Sequence, residues 1–357
     1  MTNPYRGLED YRFWSKAMSA PQPGRVDPVT RGGEIAATDK VATMGSCFAQ
    51  HIARRISDSG LNYFVPEAAP ADMAPDVAAS LNFGVFSARY GNIYTVRQAR
   101  QLFDRAFGTF TPQDDVWTAR GDAGGYVDAF RPQIQSTPFS SVEEVRVAAT
   151  EHLAHVRRIF LESDWLVFTL GLTEGWESKV DGAVYPLAPG VGGGAFDTEK
   201  YAFHNFTAAE VTQDLKEFIE RVHSVNPKLK IILTVSPVPL IATYEQRHVW
   251  VSTTFSKAAL RVAADEAERC YDFVRYFPSY EVITSPAAGG RYYADDLREV
   301  RPVGVQHVMR LFSEHFFPKS EDLPPPEASG SRVDLLSSRD IVCDEEAIEQ
   351  SLKASGF

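Results

Sequence analysis

Lys40–Gly60, KVATMGSCFAQHIARRISDSG, decides how the rest of the chain is read. Val41 to Met44 is an apolar run of strand length, and Gly45-Ser46-Cys47 is a tight turn. From Phe48 the apolar positions recur at helical spacing until Gly60 supplies a stop. Strand, turn and helix in that order put the turn at the carboxyl edge of a parallel sheet, with the first N–H groups of the helix facing outward. Open α/β sheets bind their ligands at that edge, so a nucleophile sits well there.

Outward from this unit the same alternation repeats. Asp164–Leu170 is a continuous apolar run ending at Gly171, as a strand buried on both faces requires. Thr207-x-x-Glu210 forms a capping box, with Phe206 and Val211 placed as a hydrophobic staple, and the helix it opens runs to Val225 before Asn226-Pro227. Leu229–Val235 is the next strand, so residues 164–235 make one βαβ unit with parallel strands. Helix Thr253–Cys270, strand Tyr271–Tyr276 and helix Val303–Phe316 complete the pattern. It predicts a three-layer α/β sandwich with a mostly parallel central sheet, similar to flavodoxin-like folds.

Three departures from the alternation set the domain plan. Residues 1–35 carry aromatics (Tyr5, Tyr11, Phe13, Trp14) before a Pro/Gly-rich stretch, and read as an N-terminal arm packed on the body. The main domain spans 36–318. Within it Leu61–Val65 is a candidate second strand, and 76–160 is a helical insertion, with Val96–Phe107 and Val142–Phe160 as its amphipathic runs, expected to cap the sheet edge. The glycine-rich Pro186–Asp197 lacks the ending of a phosphate-binding loop and reads as a mobile surface loop. Residues 319–357 read as an appendage, a Pro-rich linker followed by an acidic tail with one short helix.

The 357 residues, 44% hydrophobic and 23% charged, are ordinary for a globular protein. A net charge of −11 argues against nucleic acid or an anionic membrane as partner. No apolar run approaches the length of a membrane span, and the first residues lack a signal-peptide core. Three widely spaced cysteines (Cys47, Cys270, Cys343) suggest neither a disulfide framework nor a metal site and fit a reducing cytoplasm. His152-x-x-His155 is too weak a signal to predict a metal.

The pentapeptide Gly45-Ser46-Cys47-Phe48-Ala49 resembles the signature of the GSCFA family, a branch similar to the bacterial SGNH (GDSL-type) hydrolases. The likeness continues through Asn82-Phe83-Gly84, Gly91-Asn92-Ile93-Tyr94, Thr169 to Glu174, Leu233 to Pro239, Ser256 to Arg261 (SKAALR) and Tyr276 to Glu281. Set against the Gly-Asp-Ser of GDSL enzymes, the turn puts Cys47 where their nucleophilic serine stands, with Ser46 next in line. A thiolate at a helix N-terminus gains from the dipole; the plainer alternative is a small packed residue. The resemblance implies oxyanion donors at Gly84 or Gly91 with Asn82 or Asn92. Its third block is matched as Gly171-Leu172-Thr173-Glu174, with Thr173 in place of an asparagine. Its Asp-x-x-His dyad falls on Asp296-Leu297-Arg298-Glu299, so Glu299 takes the histidine's place. His307 and His51, the latter one turn past Cys47, are the remaining candidate bases, with Asp296 to orient one of them; each also reads as a packed helix residue. His204 is a candidate to line the edge. Arg298 and Arg301 read either as salt-bridge partners of Asp296 or as an anion clamp.

The expected activity is acyl transfer, an esterase, deacetylase or acyltransferase acting on a carbohydrate or glycoconjugate, with the substrate class taken from the resemblance. No cofactor is implied; a transferase would take an acyl donor such as acyl-CoA. The rivals are a glycan-binding protein that has kept the fold and lost the reaction, and an acid/base pair of Glu174 with Asp295 or Asp296. Oligomeric state is left open.

Overall fold

The computed structural model describes residues 3–18, 22, 24–121, 124–318 and 341–354. Along the chain run α1 (Trp14–Ala17), β1 (Val41–Gly45), α2 (Ala49–Asp58), α3 (Pro75–Ser80), α4 (Val96–Ala106), β2 (Val116–Thr118), β3 (Tyr126–Asp128) and α5 (Val142–Glu162). Then come β4 (Trp165–Leu170), β5 (Glu174–Ser178), β6 (Val184–Tyr185), β7 (Tyr201–Asn205), α6 (Ala208–Val225) and β8 (Lys230–Val235). The chain continues with α7 (Val249–Cys270), β9 (Val274–Tyr276), α8 (Ser279–Thr284), α9 (Pro302–Phe316) and α10 (Glu346–Ala354).

The central sheet has the order β1-β4-β8-β9, parallel throughout, with Val41 opposite Trp165, Leu166 opposite Ile231 and Ile231 opposite Val274. Alternation along these strands divides the core. Leu166, Phe168, Leu170, Ile231, Leu233 and Val235 pack against α4, α5, α6 and α7. Trp165, Val167 and Ile232 face α2, α8 and α9. Because both faces are covered, β4 is buried at every position, as its unbroken apolar sequence predicts. Each large side chain fully enclosed here is worth about 1.5–3 kcal/mol relative to exposure. The three-layer α/β fold is therefore present, and the capping box at Thr207 and Glu210 forms as read.

Four expectations change. Leu61–Val65 is not a strand but a single bridge, Tyr63 beside Val41. The 76–160 segment does not cap the sheet edge as a unit, because α4 and α5 have enough apolar surface to join α6 and α7 in one helix layer. Outside that layer it adds the antiparallel ribbon β2–β3. The arm grips the body through residues 24–35, with Gly33 and Ile35 donating to the carbonyls of His315 and Phe316. Its aromatics Tyr5, Tyr11 and Trp14 stay exposed. The glycine-rich loop is tied down, Gly194 N–H donating to Thr118 O and Arg120 to Val191 O.

The part of the tail that is described, 341–354, is docked on the carboxyl edge of the sheet. A second small sheet, β6-β5-β7, stands beside that edge. The Pro-rich linker lies outside the described residues.

Candidate active site

Gly45 ends β1 with φ +124°, and a Cβ there would stand 2.1 Å from Thr169 O, so only glycine fits where β1 meets β4. Ser46 N–H then donates to Thr169 O (3.1 Å), and the turn winds into α2 through Ala49 N–H to Ser46 O and Gln50 N–H to Cys47 O. Cys47 thus stands just before the Phe48 N-cap of α2, at the positive end of the helix dipole. Two further connections converge on it. Tyr94 O accepts from the N–H groups of both Gly171 and Leu172, and Ile93 N–H donates to Gly45 O. From below, α7 sends Lys257 Nζ to Gly171 O (2.6 Å), and Ser256 Oγ accepts from Thr173 N–H (2.9 Å).

The tail closes the cleft. Gln50 Nε2 donates to Val342 O (2.7 Å) and Gln50 Oε1 accepts from Val342 N–H (3.0 Å), a side chain pairing with a peptide as a strand would. Asn92 Nδ2 donates to the same Val342 oxygen (3.2 Å), while Asn92 N–H donates to the Asp344 carboxylate and Tyr94 Oη accepts from Glu345 N–H. Arg298 reaches from the loop before α9 to Glu345 (3.1 Å) and to Cys343 Sγ (3.6 Å). Leu297, exposed and in the left-handed region at φ +56°, holds that loop turned so that Arg298 points inward.

Charge is concentrated where water is excluded. The neighbouring Cys343 thiol, then burial, pushes Cys47 well above the usual thiol range. Cys343 is lowered, first by the neighbouring Cys47 thiol and then, against its burial, by Arg298. Burial brings the Lys257 ammonium down to about 8, against the pull of Glu345 and Cys47. Burial likewise raises Glu345 and Asp344. Among the described residues, Ser46 Oγ and Asn92 Oδ1 are buried with no hydrogen-bond partner.

Beside the cluster opens a cavity of about 420 Å³, lined by Tyr94, Leu172, Trp176, Phe203 and Tyr244 and by Leu352 of α10.

Of the residues nominated from sequence, Cys47, Ser46, Asn92 and Arg298 meet at this edge and Glu174 lines the cavity beside it; the histidines, Asp295, Asp296 and Asn82 are engaged elsewhere. His307 is not the base: it accepts from Tyr292 Oη at Nδ1 (2.8 Å) and donates from Nε2 to Val26 O (2.9 Å), so α9 uses it to hold the N-terminal arm. His51 is not the base either. Its ring packs edge-on against Phe48, and burial brings it down to about 4, which leaves little basicity. Asp296 caps its own loop, accepting from Arg298 and Glu299 N–H groups, and orients no histidine.

Thr173 Oγ1 donates to Asn205 Oδ1, so its hydroxyl is not an oxyanion donor. Asn82 Nδ2 goes to the carbonyls of Gln133 and Ile134, and Gly84 turns the same loop at φ +78°. His204 sits between Glu177 and Glu210. Glu174 accepts from Thr243 and Tyr244 at the cavity wall, whereas Asp295 pairs with Arg301 at the surface, so the two carboxylates do not form an acid/base pair. His152 bonds Glu67, and among the described residues no three His, Cys, Asp or Glu side chains gather as a metal-binding group.

Sequence reasoning missed Gln50, Lys257 and the tail residues Val342 to Glu345, and left Arg298 unplaced. Lys257 had a signal: a lysine inside an Ala-rich helix, at a position that the packing face of α7 requires to be buried. Gln50, three residues past Cys47 on the inner face of an amphipathic helix, had the same one.

These features sort the protein with the α/β proteins that keep their cleft at the carboxyl edge of a parallel sheet. Residues 40–312 match the model of the GSCFA family, and the chain belongs to that family. A comparison with curated proteins gives no match. Among solved structures, one from Parabacteroides merdae described as a GDSL-like lipase is similar at 12% identity. It covers 79% of this chain and 98% of its own, at a TM-score of 0.30, too slight a likeness to bear on chemistry. No helix among the described residues is long and apolar enough to cross a membrane.

Proposed function

We propose that the protein is an acyl-transfer enzyme in which Cys47 is the nucleophile and Lys257 carries the proton. The observation behind this reading is the convergence of two side-chain amides, Gln50 Nε2 and Asn92 Nδ2, on a single carbonyl oxygen beside the Cys47 thiol. In the closed protein that oxygen belongs to Val342; with the tail displaced, the same donors receive the carbonyl oxygen of an ester.

Lys257, brought down to about 8, has a usable fraction of free amine near neutral pH. It takes the thiol proton, and the thiolate attacks the carbonyl carbon. The developing oxyanion gains charge-assisted hydrogen bonds from Gln50 and Asn92. The Lys257 ammonium returns the proton to the leaving alkoxide, which leaves a Cys47 thioester for water or an acceptor hydroxyl to cleave. Lysine here does the work that histidine does in other cysteine and serine nucleophile systems. In this reading the ester sits on a carbohydrate or glycoconjugate, which the resemblance to SGNH enzymes supports, and acyl-CoA would be the donor for a transferase.

The rival reading, a binding protein without chemistry, draws on the displacement of every nominated histidine from Cys47. Incubating the reduced full-length protein with p-nitrophenyl acetate and mapping peptides by mass spectrometry separates the two. The enzyme reading predicts an acetyl group on Cys47, lost in Cys47→Ala and retained in Ser46→Ala. If nitrophenol release in Cys47→Ala equals that of the wild type and no peptide carries acetyl at Cys47, the binding reading stands.

A further inference from the structure

The tail does more than fill space. It brings a second thiol to the Cys47 turn: Cys343 follows Val342, which the side chain of Gln50, three residues past Cys47, grips at both its N–H and its carbonyl, and Arg298 Nη2 stands 3.6 Å from the Cys343 sulfur. The contact is built into the docking. Val342, the preceding residue, is held by Gln50 and Asn92. Asp344 and Glu345, which follow, are buried against Asn92, Tyr94 and Arg298. A segment that merely blocked the cleft would need no sulfur at this point, and a serine or alanine between Val342 and Asp344 would leave every one of those five hydrogen bonds in place. Cys270, by contrast, is exposed at the end of α7 with no thiol beside it.

We propose that Cys47 and Cys343 form a reversible disulfide that fastens the C-terminal segment over the cleft, with a small disulfide such as oxidised glutathione as the oxidant. The thiolate of Cys343, favoured by Arg298, attacks one sulfur of the oxidant; a Cys343–glutathione bond forms and one glutathione thiolate leaves. Cys47 gives its proton to the Lys257 amine and attacks the Cys343 sulfur. The Cys47–Cys343 bond forms, and the second glutathione leaves as a thiolate that takes up a proton. Two protein thiols lose two hydrogens, and one oxidised glutathione becomes two reduced ones. The bond requires the two sulfurs to close to about 2.05 Å. Reduced, as in this structure, the tail is held by its hydrogen bonds alone and is free to leave the cleft; oxidised, it is fastened and the Gln50 and Asn92 donors remain on Val342 O. The sealing of activity rests on the acyl-transfer reading, whereas the disulfide itself does not.

The test is to equilibrate the full-length protein in glutathione buffers of increasing oxidised fraction, quench with acid and alkylating agent, and map disulfides by mass spectrometry beside acetyl capture from p-nitrophenyl acetate. The expected result is a cross-linked Cys47–Cys343 peptide that accumulates before Cys270 becomes glutathionylated and disappears with dithiothreitol. Acetyl capture should fall in proportion. In Cys343→Ser the cross-link is gone and Cys47 stays alkylatable in the same oxidising buffer. Mixed disulfides on Cys343 and Cys270 without the cross-link would overturn the proposal, as would a full cross-link with undiminished acetyl capture. Absence of acetyl capture in the reduced protein would count against the enzymatic reading alone, and the peptide map would still decide the disulfide.

Discussion

His307 and Lys257 are both cationic-type side chains buried in helices that flank the sheet, yet their surroundings differ in kind. At His307 each ring nitrogen has one partner of the right sense, Tyr292 Oη donating and Val26 O accepting, and nothing in contact is left to react. At Lys257 the amine makes a hydrogen bond to Gly171 O, its charge is disfavoured by burial, and it shares a dry pocket with a thiol, a guanidinium and a carboxylate. The first arrangement is one that folding alone would select. The second is costly to fold, since each buried carboxylate or ammonium loses hydration that its partners only partly restore. A group held in that way at a sheet's carboxyl edge is better evidence of chemistry than a histidine at a motif position.

Exchanging the two residues' roles by mutation is the sharpest way to break the contrast. Lys257→Met should slow acetyl capture at Cys47 by about 10²–10⁴-fold, the usual contribution of a positioned proton carrier. His307→Ala should leave capture unchanged and lower the thermal unfolding midpoint, because Tyr292 and Val26 lose their buried partner. The reverse pattern would move the base to α9.

A smaller effect is expected from the amides. Asn92→Ala and Gln50→Ala should each lower capture by about 10²-fold, as loss of an oxyanion donor does. The same variants loosen the tail, so iodoacetamide should reach Cys47 faster in them than in the wild type. Capture and alkylation moving in opposite directions separates an oxyanion role from simple packing.

Smaller again is the tail's own hold. Glu345→Gln removes a charge-assisted hydrogen bond to Arg298, worth about 1.5–3 kcal/mol, and should speed alkylation of reduced Cys47 by about tenfold or more. Unaltered alkylation would mean that the tail is held without that ion pair. Least of all is Ser46→Ala: the hydroxyl is buried without a partner among the described residues, so its removal should be neutral or slightly stabilising in a thermal melt.

Periodicity carried most of the fold. The apolar runs at β1, β4 and β8 and the capping box before α6 each depend on local chemistry, and each stands where the sequence places it. The strand at Leu61 failed because five residues of suitable composition do not guarantee a neighbour to pair with along their length. The site was only half legible. Cys47 and Asn92 follow from the turn and from resemblance, but Lys257 comes from a helix two hundred residues downstream, and Arg298 is aimed by a left-handed Leu297 that no pattern announces. The tail was least legible of all: its composition is that of a solvated segment, and only the donors waiting on Gln50, Asn92 and Arg298 make its carboxylates and carbonyl worth burying.

The most direct test of a Cys47–Lys257 pair is the pH dependence of Cys47 alkylation by iodoacetamide in reduced Glu345→Gln protein, with and without Lys257→Met. Lys257 has its acid limit lowered to about 8, so the free amine is present above that pH and absent below it. Glu345→Gln takes away a negative charge that holds the ammonium up, so the account predicts that alkylation rises below about pH 8 when Lys257 is present, and that in Lys257→Met the rise moves to higher pH with slower reaction throughout. Identical profiles in the two proteins would contradict it.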